Sequence, residues 1–162
     1  MPAKPAAKRK RPAPSDLAAP LLRRAEKRCA EAGEQLTPAR INAYAELVAQ
    51  GRAVSAYELL ALLETREGRK LAPLTVYRQL EFLTRVGLVH RLASTQSFLV
   101  CEHPDHPHEG LYLVCSSCGR ADELESDSLT QLIGKAAKSR GFKSEKRIVE
   151  VQGTCHDCAE KQ

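Results

Sequence analysis

Residues 73–101 read PLTVYRQLEFLTRVGLVHRLASTQSFLVC, and the hydrophobic period within this stretch changes at Gly87. Before the glycine, apolar residues recur every three or four positions, which predicts an amphipathic helix that begins near its proline. After the glycine, two β-prone runs at 88–92 and 96–101 flank a short polar turn, which predicts a hairpin. The helical stripe consists of Val76, Leu80 and Leu83.

Three further helices are predicted before this stretch, each from its own start or stop signals. The first spans about 16–34 and carries an apolar stripe that includes Cys29, so Cys29 is predicted to be a core residue and not a ligand. The second begins after the N-cap Thr37, and the third begins at a capping box headed by Ser55. Helices followed by a hairpin predict a winged helix-turn-helix domain over residues 16–101.

The last helix of a winged helix-turn-helix enters the major groove of DNA, and here it presents Tyr77 and Arg78 near its start. A tyrosine can contact bases or phosphates, and a planar guanidinium suits guanine O6 and N7 or a phosphate. Two other interpretations stay open at this stage. Tyr77 could pack in the core while Arg78 is a solvated charge, or the winged helix could bind protein.

The last third of the chain carries two cysteine pairs, Cys115-Ser116-Ser117-Cys118 and Cys155-His156-Asp157-Cys158, with 36 residues between them. A two-residue gap lets both thiolates of a pair face one metal ion at about 2.3 Å, and two pairs complete a closed shell typical of structural zinc. Disulfides and a redox dithiol are the alternatives. The chain opens with Lys, Arg, Pro and Ala instead of an apolar signal segment, which favours the reducing cytoplasm. A thioredoxin-like pair would be expected once, whereas this motif is doubled.

Residues 111–162 predict a small α/β unit around these pairs. A strand is expected over 111–114, a helix from Ser126 or Asp127, and a second strand over 147–151. About 50 residues are marginal for a core, so the four-cysteine zinc is predicted to contribute folding free energy. An apolar face left over from so small a sheet favours a dimer, which would present two recognition helices to a palindromic site.

A second group of metal-ligating residues lies between the two units. Cys101, His103, His106 and His108 crowd into eight residues, and His90 lies eleven positions before Cys101. This is more ligand than one zinc ion needs. The surplus predicts a second metal site, and a protein with one permanent and one adjustable metal is predicted to sense metal.

The net charge of +5 comes from the first residues of the 162-residue chain, whose 43 % apolar content suits one domain or two small ones. The predicted tail, residues 1–15, is too polar to fold. It is a solvated disordered leader, an arm for nucleic-acid phosphates, or both. No stretch approaches the roughly 18 apolar residues of a membrane span. The tail cations are Lys4, Lys8, Arg9, Lys10 and Arg11.

Several motifs together resemble the ferric uptake regulator family of metal-dependent repressors, over residues 20–160. They follow one another as Leu36-Thr37-Pro38-Ala39-Arg40, Thr75-Val76-Tyr77-Arg78-Gln79-Leu80, a hairpin ending Phe98-Leu99-Val100-Cys101, a His-rich loop, and CxxCG at Cys115 to Gly119. The zinc-sensing branch is the most similar, because a cysteine ends the wing strand. Thiolate, imidazole and carboxylate ligands suit Zn(II), whereas iron and manganese favour nitrogen and oxygen.

The resemblance implies particular site residues. A regulatory zinc at the hinge is implied, with Glu123 taken from the resemblance alone. His103 and His106 are alternatives to His108, and one of them could join a third site with Asp105 or Glu109. His156 is expected to be a bystander. The implied regulatory ligands are His90, Cys101, His108 and Glu123, and the implied DNA-contacting residues are Tyr77, Arg78, Thr75 and Arg40.

The predicted fold class is α+β, with a winged helix-turn-helix domain at 16–101, a hinge with metal ligands at 102–110, and a small α/β dimerisation domain at 111–162 that holds the four-cysteine zinc. The predicted function is zinc-sensing repression of zinc uptake genes. A homodimer would bind a palindromic DNA operator when the hinge site holds zinc, with neither a membrane nor a small-molecule substrate as a partner.

Other classes of function are weighed against this prediction. An iron- or peroxide-responsive member of the same family is one alternative, and a zinc-stapled adaptor for nucleic acid or protein is another. An enzyme is not expected, because four protein ligands leave no open position for water on the zinc. The zinc deaminase signature is also absent, since Val114 and Thr154 precede the cysteine pairs.

Overall fold

The computed structural model describes residues 14–102, 110–124, 126–144 and 147–161. Over these ranges four helices and a hairpin are followed by a second sheet with its own helix. The helices are α1 (Pro14–Glu31), α2 (Pro38–Gln50), α3 (Ala56–Glu67), α4 (Pro73–Arg85), α5 (Asp127–Lys138) and α6 (His156–Ala159). The strands are β1 (Val54–Ser55), β2 (Val89–Leu92), β3 (Ser97–Val100), β4 (Gly110–Cys115), β5 (Ala121–Glu123) and β6 (Ile148–Gly153).

Helix α1 includes the last two residues of the predicted tail. Pro14 and Ser15, which were assigned to the tail, belong to the helix. Proline is favoured in the first turn, because its missing N–H has no helical partner there. The rest of the predicted tail, residues 1–13, lies outside the described residues.

The end of α1 also differs from the prediction. The helix ends at Glu31 because Gly33 adopts a left-handed conformation with φ 66°. The backbone N–H of Glu34 then bonds to the carbonyl of Cys29 at 2.9 Å and closes the helix end. Cys29 itself is 1 % exposed, which confirms that it is a core residue.

The starts of α2 and α3 agree with the predicted signals, although the two caps work differently. The Ser55 hydroxyl accepts the backbone N–H of Glu58 at 3.2 Å and so caps α3. Thr37 occupies the N-cap of α2 without a side-chain cap hydrogen bond. The fixed φ of Pro38 therefore sets the start of α2.

The first sheet contains the predicted hairpin and one strand that was not predicted. β2 and β3 pair antiparallel, and β1 adds to β3 with Val54 opposite Phe98. Strand β1 has only two residues, and the second, Ser55, is itself the cap of α3, so β1 left no periodic signal in the sequence. Helices α1 to α4 pack with this sheet around one core that includes Tyr44, Leu59 and Leu83. This arrangement is the predicted winged helix.

The second sheet has the strand order β5-β4-β6, with β4 parallel to β6 and antiparallel to β5. Of the two predicted starts for its helix, Ser126 is the cap, since its hydroxyl accepts the backbone N–H of Leu129 at 3.4 Å. Strand β5 and helix α6 were not predicted. They have three and four residues respectively, which is too short for a periodic signal.

A second apolar cluster joins the two sheets. Ala53, Leu92 and Leu99 come from the winged helix, and they pack against Tyr112, Val114 and Ala121 of the second sheet. Leu92 and Ala121 are completely buried in this contact. The two halves of the chain therefore meet through a packed interface in this structure, and the wing hairpin forms one side of it.

Candidate metal centres and nucleic-acid surface

Four cysteine sulfurs converge at one end of the second sheet. Cys115 ends β4, Cys118 lies in the following turn, and Cys155 and Cys158 come from the start and body of α6. Their ligand atoms all lie within 4.8 Å of one another, and the Sγ atoms of Cys118 and Cys155 are 3.7 Å apart. Four thiolates about 2.3 Å from zinc form a tetrahedron with edges of about 3.8 Å, so the cluster matches this metal. All six cysteines are free of disulfide bonds.

The local backbone prepares this cluster for a cation. Backbone N–H groups of Cys155 and Cys118 act on the Cys115 sulfur, the first at 3.3 Å, and lower the pKa of Cys115 to about 6. Hydrogen bonds with the Cys155 and Cys118 sulfurs raise the pKa of Cys158 to about 12. Because crowded thiolates repel one another, all four ionise together only when a cation lies between them. An all-sulfur donor set of this shape suits zinc.

The predicted hinge ligands lie around the buried side chain of Tyr112 in β4. The His90 ring in β2 has its centroid 5.4 Å from that of Tyr112. Cys101, directly after β3, is completely buried. Glu123, at the end of β5, pairs with Tyr112 across the antiparallel sheet. Burial raises the pKa of Tyr112, and the charges of Glu123 and Cys101 raise it further, so both groups are its electrostatic neighbours.

The fourth hinge ligand is predicted to be one of three histidines. His103, His106 and His108 all lie outside the described residues, as do Asp105 and Glu109. Among the described residues, the four cysteines form the one group in which three or more ligating atoms lie within 4.8 Å of one another. The choice among the three histidines therefore stays a prediction. His156 is exposed, with its Nε2 atom 3.3 Å from the carboxylate of Glu160.

The start of α4 presents the predicted recognition residues to solvent. Tyr77 is 46 % exposed, so it is not a core residue, and Thr75 and Arg78 are exposed as well. The opposite face of the helix, which includes Val76 and Leu80, is buried. Among the residues that the structure describes, none forms a salt bridge with Arg78, so its guanidinium is available to a partner.

Arg40, the remaining predicted DNA contact, makes contacts within the protein. Its guanidinium carbon lies 3.4 Å from the centre of the Phe82 ring in α4. It also donates to the carbonyl of Gln35 and lies 3.9 Å from the carboxylate of Glu34. Arg40 therefore braces α4 from α2, and a direct contact with DNA stays a prediction.

A groove of about 710 Å³ separates α4 from the wing hairpin. Tyr57, in the first turn of α3, lines it together with Tyr77 and is 75 % exposed. Arg85 and Arg91 line the same groove together with Glu81, and Arg85 also forms an ion pair with Glu34. Sequence reasoning missed Tyr57, because its place at the start of a helix gave no sign that the ring would face the groove.

The outer surface of the second sheet is apolar and exposed. Helix α5 has no buried residue, although its sequence predicts an apolar stripe. Leu132 is 63 % exposed there, and Val151 in β6 is 54 % exposed. Arg147 donates to the carbonyl of Thr130 at 2.9 Å and ties α5 to the strand side. The other large exposed apolar side chains of this unit are Leu113, Leu124, Leu129, Phe142 and Ile148.

Two further residues of the junction were missed by sequence reasoning. Tyr112 lies within the β-prone run LYLV and gave no sign that it would be the centre of the hinge group. Glu150 interrupts the β-branched run IVEVQG, and an acidic residue inside such a strand was an available signal.

None of the helices within the described ranges combines the length and hydrophobicity of a membrane span.

The fold and the four-sulfur centre together define the class of this protein. It is a winged-helix protein with a second, metal-binding unit. The chain belongs to the ferric uptake regulator family, whose model matches residues 31–152. It is 36 % identical over 141 residues to the zinc uptake regulation protein of Escherichia coli K12, a match that covers 86 % of this chain and 82 % of that protein.

Solved structures of zinc uptake regulators have a similar fold. A zinc uptake regulator complexed with zinc and DNA superposes with a TM-score of 0.81 at 35 % identity, over 89 % of this chain and 96 % of the other. Holo XcZur superposes with a TM-score of 0.74 at 38 % identity, over 91 % and 99 % of the two chains. Apo XcZur covers 89 % and 99 % at 39 % identity, but its TM-score is only 0.53.

Proposed function

We propose that this protein is a zinc-responsive DNA-binding repressor of zinc uptake genes that acts as a homodimer on a palindromic operator in the cytoplasm. The observation that carries the proposal is that His90 and Cys101 from the winged helix and Glu123 from the second sheet all neighbour Tyr112. Their ligand atoms do not all lie within 4.8 Å of one another in this structure, so zinc would have to draw them together. Ligands that come from both halves of the chain can share one ion only in one relative orientation. Similarity to a zinc uptake regulation protein supports zinc as the ion.

The chain divides by role into four segments under this proposal. Residues 1–15 supply a basic tail, 16–101 the DNA-binding domain, 102–110 the hinge, and 111–162 the dimerisation domain. The main core supports the boundary of the DNA-binding domain, because all of its residues lie between Leu21 and Val100. Because α1 begins at Pro14, its first turn includes the last residues of the proposed tail.

Each subunit holds at least two zinc ions with different tasks. Cys115, Cys118, Cys155 and Cys158 hold the structural zinc, which fixes the end of the second sheet. The second unit needs this, because Ala121 is its last buried residue along the described chain. The regulatory zinc is held by His90, Cys101, Glu123 and one histidine of the hinge, with His108 favoured over His103 and His106.

The hinge ligands convert zinc binding into DNA binding through the orientation of the two halves. His90 and Cys101 move with the recognition helix, whereas Glu123 moves with the dimer unit. The orientation in which all of them face one point binds zinc more tightly, so zinc increases the population of that orientation. A coupling of about 1–3 kcal/mol would change DNA affinity roughly 5- to 150-fold. The higher TM-score with holo than with apo XcZur supports this orientation for the present structure.

The DNA-facing surface is formed by the exposed side of α4 and the groove beside the wing. Arg78 and Tyr77 reach bases or phosphates of the DNA. Thr75, near the start of α4, contacts the DNA backbone. Tyr57, Arg85 and Arg91 lie along the groove, where they would follow the sugar-phosphate chain. Arg40 contributes mainly by holding Phe82 and thereby α4 in place.

The homodimer forms through the apolar outer surface of the second unit. Leu129 and Leu132 lie on one side of α5, and Val151 of β6 lies beside Leu113 of β4 on the sheet face opposite to Glu150. So many exposed apolar side chains on about 50 residues favour a second copy as their cover. A two-fold dimer presents two copies of α4, which matches a palindromic operator.

The proposal excludes an enzymatic role. A zinc ion with four protein ligands has no open position for a reacting water molecule. An iron- or manganese-responsive role is disfavoured by the buried thiol of Cys101, since these metals prefer nitrogen and oxygen ligands.

The deciding experiment measures binding of a labelled palindromic operator duplex against buffered free zinc, for the wild type and for Cys101→Ser. Cys29→Ala is the matched control, because it removes a buried thiol that belongs to the core. Zinc-dependent binding by the wild type and the control, but not by Cys101→Ser, is the expected result. Equal binding by all three at every zinc level contradicts metal sensing, and a stronger response to manganese or iron(II) contradicts zinc as the signal.

A further inference from the structure

The carboxylate of Glu150 in β6 accepts two backbone N–H groups from the turn of the wing. The N–H of Ala93 lies 2.8 Å from Oε1, and the N–H of Ser94 lies 3.0 Å from Oε2. Further along the same strand, Gln152 donates its Nε2 group to the carbonyl of Ser94 at 3.3 Å. These three hydrogen bonds connect the tip of the DNA-binding half directly to the second sheet.

Further hydrogen bonds hold the backbone on both sides of this contact. On the sheet side, Glu150 lies opposite Tyr112 in a parallel register that runs through all six residues of β6. On the wing side, Gln96 donates to the carbonyl of Ala93 at 3.0 Å and accepts from Arg91 at 2.9 Å. Because the turn is braced across the hairpin, holding the turn holds the orientation of the whole wing.

The ionised carboxylate suits this role better than any neutral side chain. Burial acts to raise the pKa of Glu150, but hydrogen bonds from Ser94 and Ala93 outweigh it and leave the pKa below its usual value. A carboxylate offers two acceptor oxygens to two adjacent N–H groups, whereas an amide offers one. Glu150 is five residues from Cys155 and belongs to neither group of proposed zinc ligands.

We infer that Glu150, assisted by Gln152, is a positioning residue that latches the wing in the DNA-binding orientation without using metal, and thereby sets the zinc concentration at which the protein responds. This inference rests on the proposed function. The latch and the hinge ligands favour the same orientation, so zinc has to supply only the remainder of the shift. If the latch is weakened, a smaller fraction of the zinc-free protein has the DNA-binding orientation. The apparent zinc affinity falls by the same factor as this fraction.

The test compares Glu150→Gln with the wild type in operator binding at buffered free zinc. We expect the zinc midpoint to rise on the order of tenfold, with DNA affinity recovering at saturating zinc. Gln152→Ala should move the midpoint in the same direction by less. Glu31→Gln is the charge-matched control, since Glu31 pairs only with Lys27 on the surface of α1 among the described residues. Removing a negative charge should tighten DNA binding in general, so a higher midpoint cannot come from the charge change alone.

Hydrogen exchange gives a readout that does not depend on the proposed function. With the hinge site saturated with zinc, where the DNA-binding orientation dominates, the Ala93 and Ser94 amides should be protected in the wild type and should exchange on the order of tenfold faster in Glu150→Gln. If DNA binding by the wild type does not depend on zinc, the proposed function is contradicted. The exchange rates of the Ala93 and Ser94 amides then test the latch separately. Equal exchange rates in both proteins, or an unchanged zinc midpoint in a zinc-responsive protein, overturn the latch.

Discussion

The Sγ atoms of Cys118 and Cys155 lie 3.7 Å apart, although 37 positions separate the two residues in the chain. This distance equals the edge of a zinc–thiolate tetrahedron, to within about 0.1 Å of the ideal value. The two ends of the second unit are therefore joined at a point where its own hydrophobic core is thin. The stability of this unit should depend on the metal.

Cys155→Ser should remove one zinc ion per subunit and unfold the second unit. Structural zinc contributes apparent binding free energies of about 10–16 kcal/mol in small zinc domains, which exceeds what a core of this size provides. Zinc content after gel filtration and far-ultraviolet circular dichroism measure the two effects. Cys29→Ala keeps all zinc ligands and should retain the wild-type zinc content. A folded, dimeric Cys155→Ser protein would contradict the structural role.

Arg78→Ala should weaken operator binding by about 1–3 kcal/mol if the guanidinium reads a base. If it contacts a phosphate, binding should weaken for all sequences and the salt slope should fall by about one unit. Binding titrations at several salt concentrations distinguish these outcomes. Arg66→Ala is the control, because Arg66 is an exposed arginine of α3 that lies 3.5 Å from Glu46. Equal losses for both variants would indicate a general charge effect.

Leu132→Glu should convert the dimer into a monomer, since it places a charge in the apolar surface that a second copy covers. Sedimentation velocity measures the change, and operator affinity should fall as the second recognition helix is lost. The control is Leu74→Glu, because Leu74 is 60 % exposed but lies in α4 of the winged helix. That variant should remain dimeric, and a monomeric Leu74→Glu protein would place the interface elsewhere.

Tyr44→Phe should raise the free energy of unfolding by about 1 kcal/mol. The Tyr44 side chain is completely buried, and its hydroxyl has no hydrogen-bond partner among the described residues. Burial of an unpaired hydroxyl costs free energy that phenylalanine avoids. Tyr44→Ala is the contrast, because loss of the ring should cost about 3–5 kcal/mol. Urea denaturation compares the three proteins, and a less stable Tyr44→Phe would reveal a partner for the hydroxyl.

Two features could be predicted before the fold was known, because their signals lie in short stretches of sequence. The period change at Gly87 predicted the recognition helix and the wing, and the doubled cysteine pair predicted a four-sulfur centre. The period change depends only on residues a few positions apart, and each cysteine pair is recognised by its own two-residue gap, although 36 residues lie between the pairs. The motif order was also sufficient to identify the family.

The contact between the two halves could not be predicted in this way and became visible only in the fold. Tyr112 and Glu150 contact the wing across gaps of more than 20 and more than 50 residues, and no local period encodes such a contact. The contacts of Arg40 were also not readable from the sequence. Its position in a family motif predicted a contact with DNA, whereas its guanidinium packs on Phe82. The stripe on α5 was readable, but its exposure was not, because burial depends on which surfaces the rest of the chain supplies.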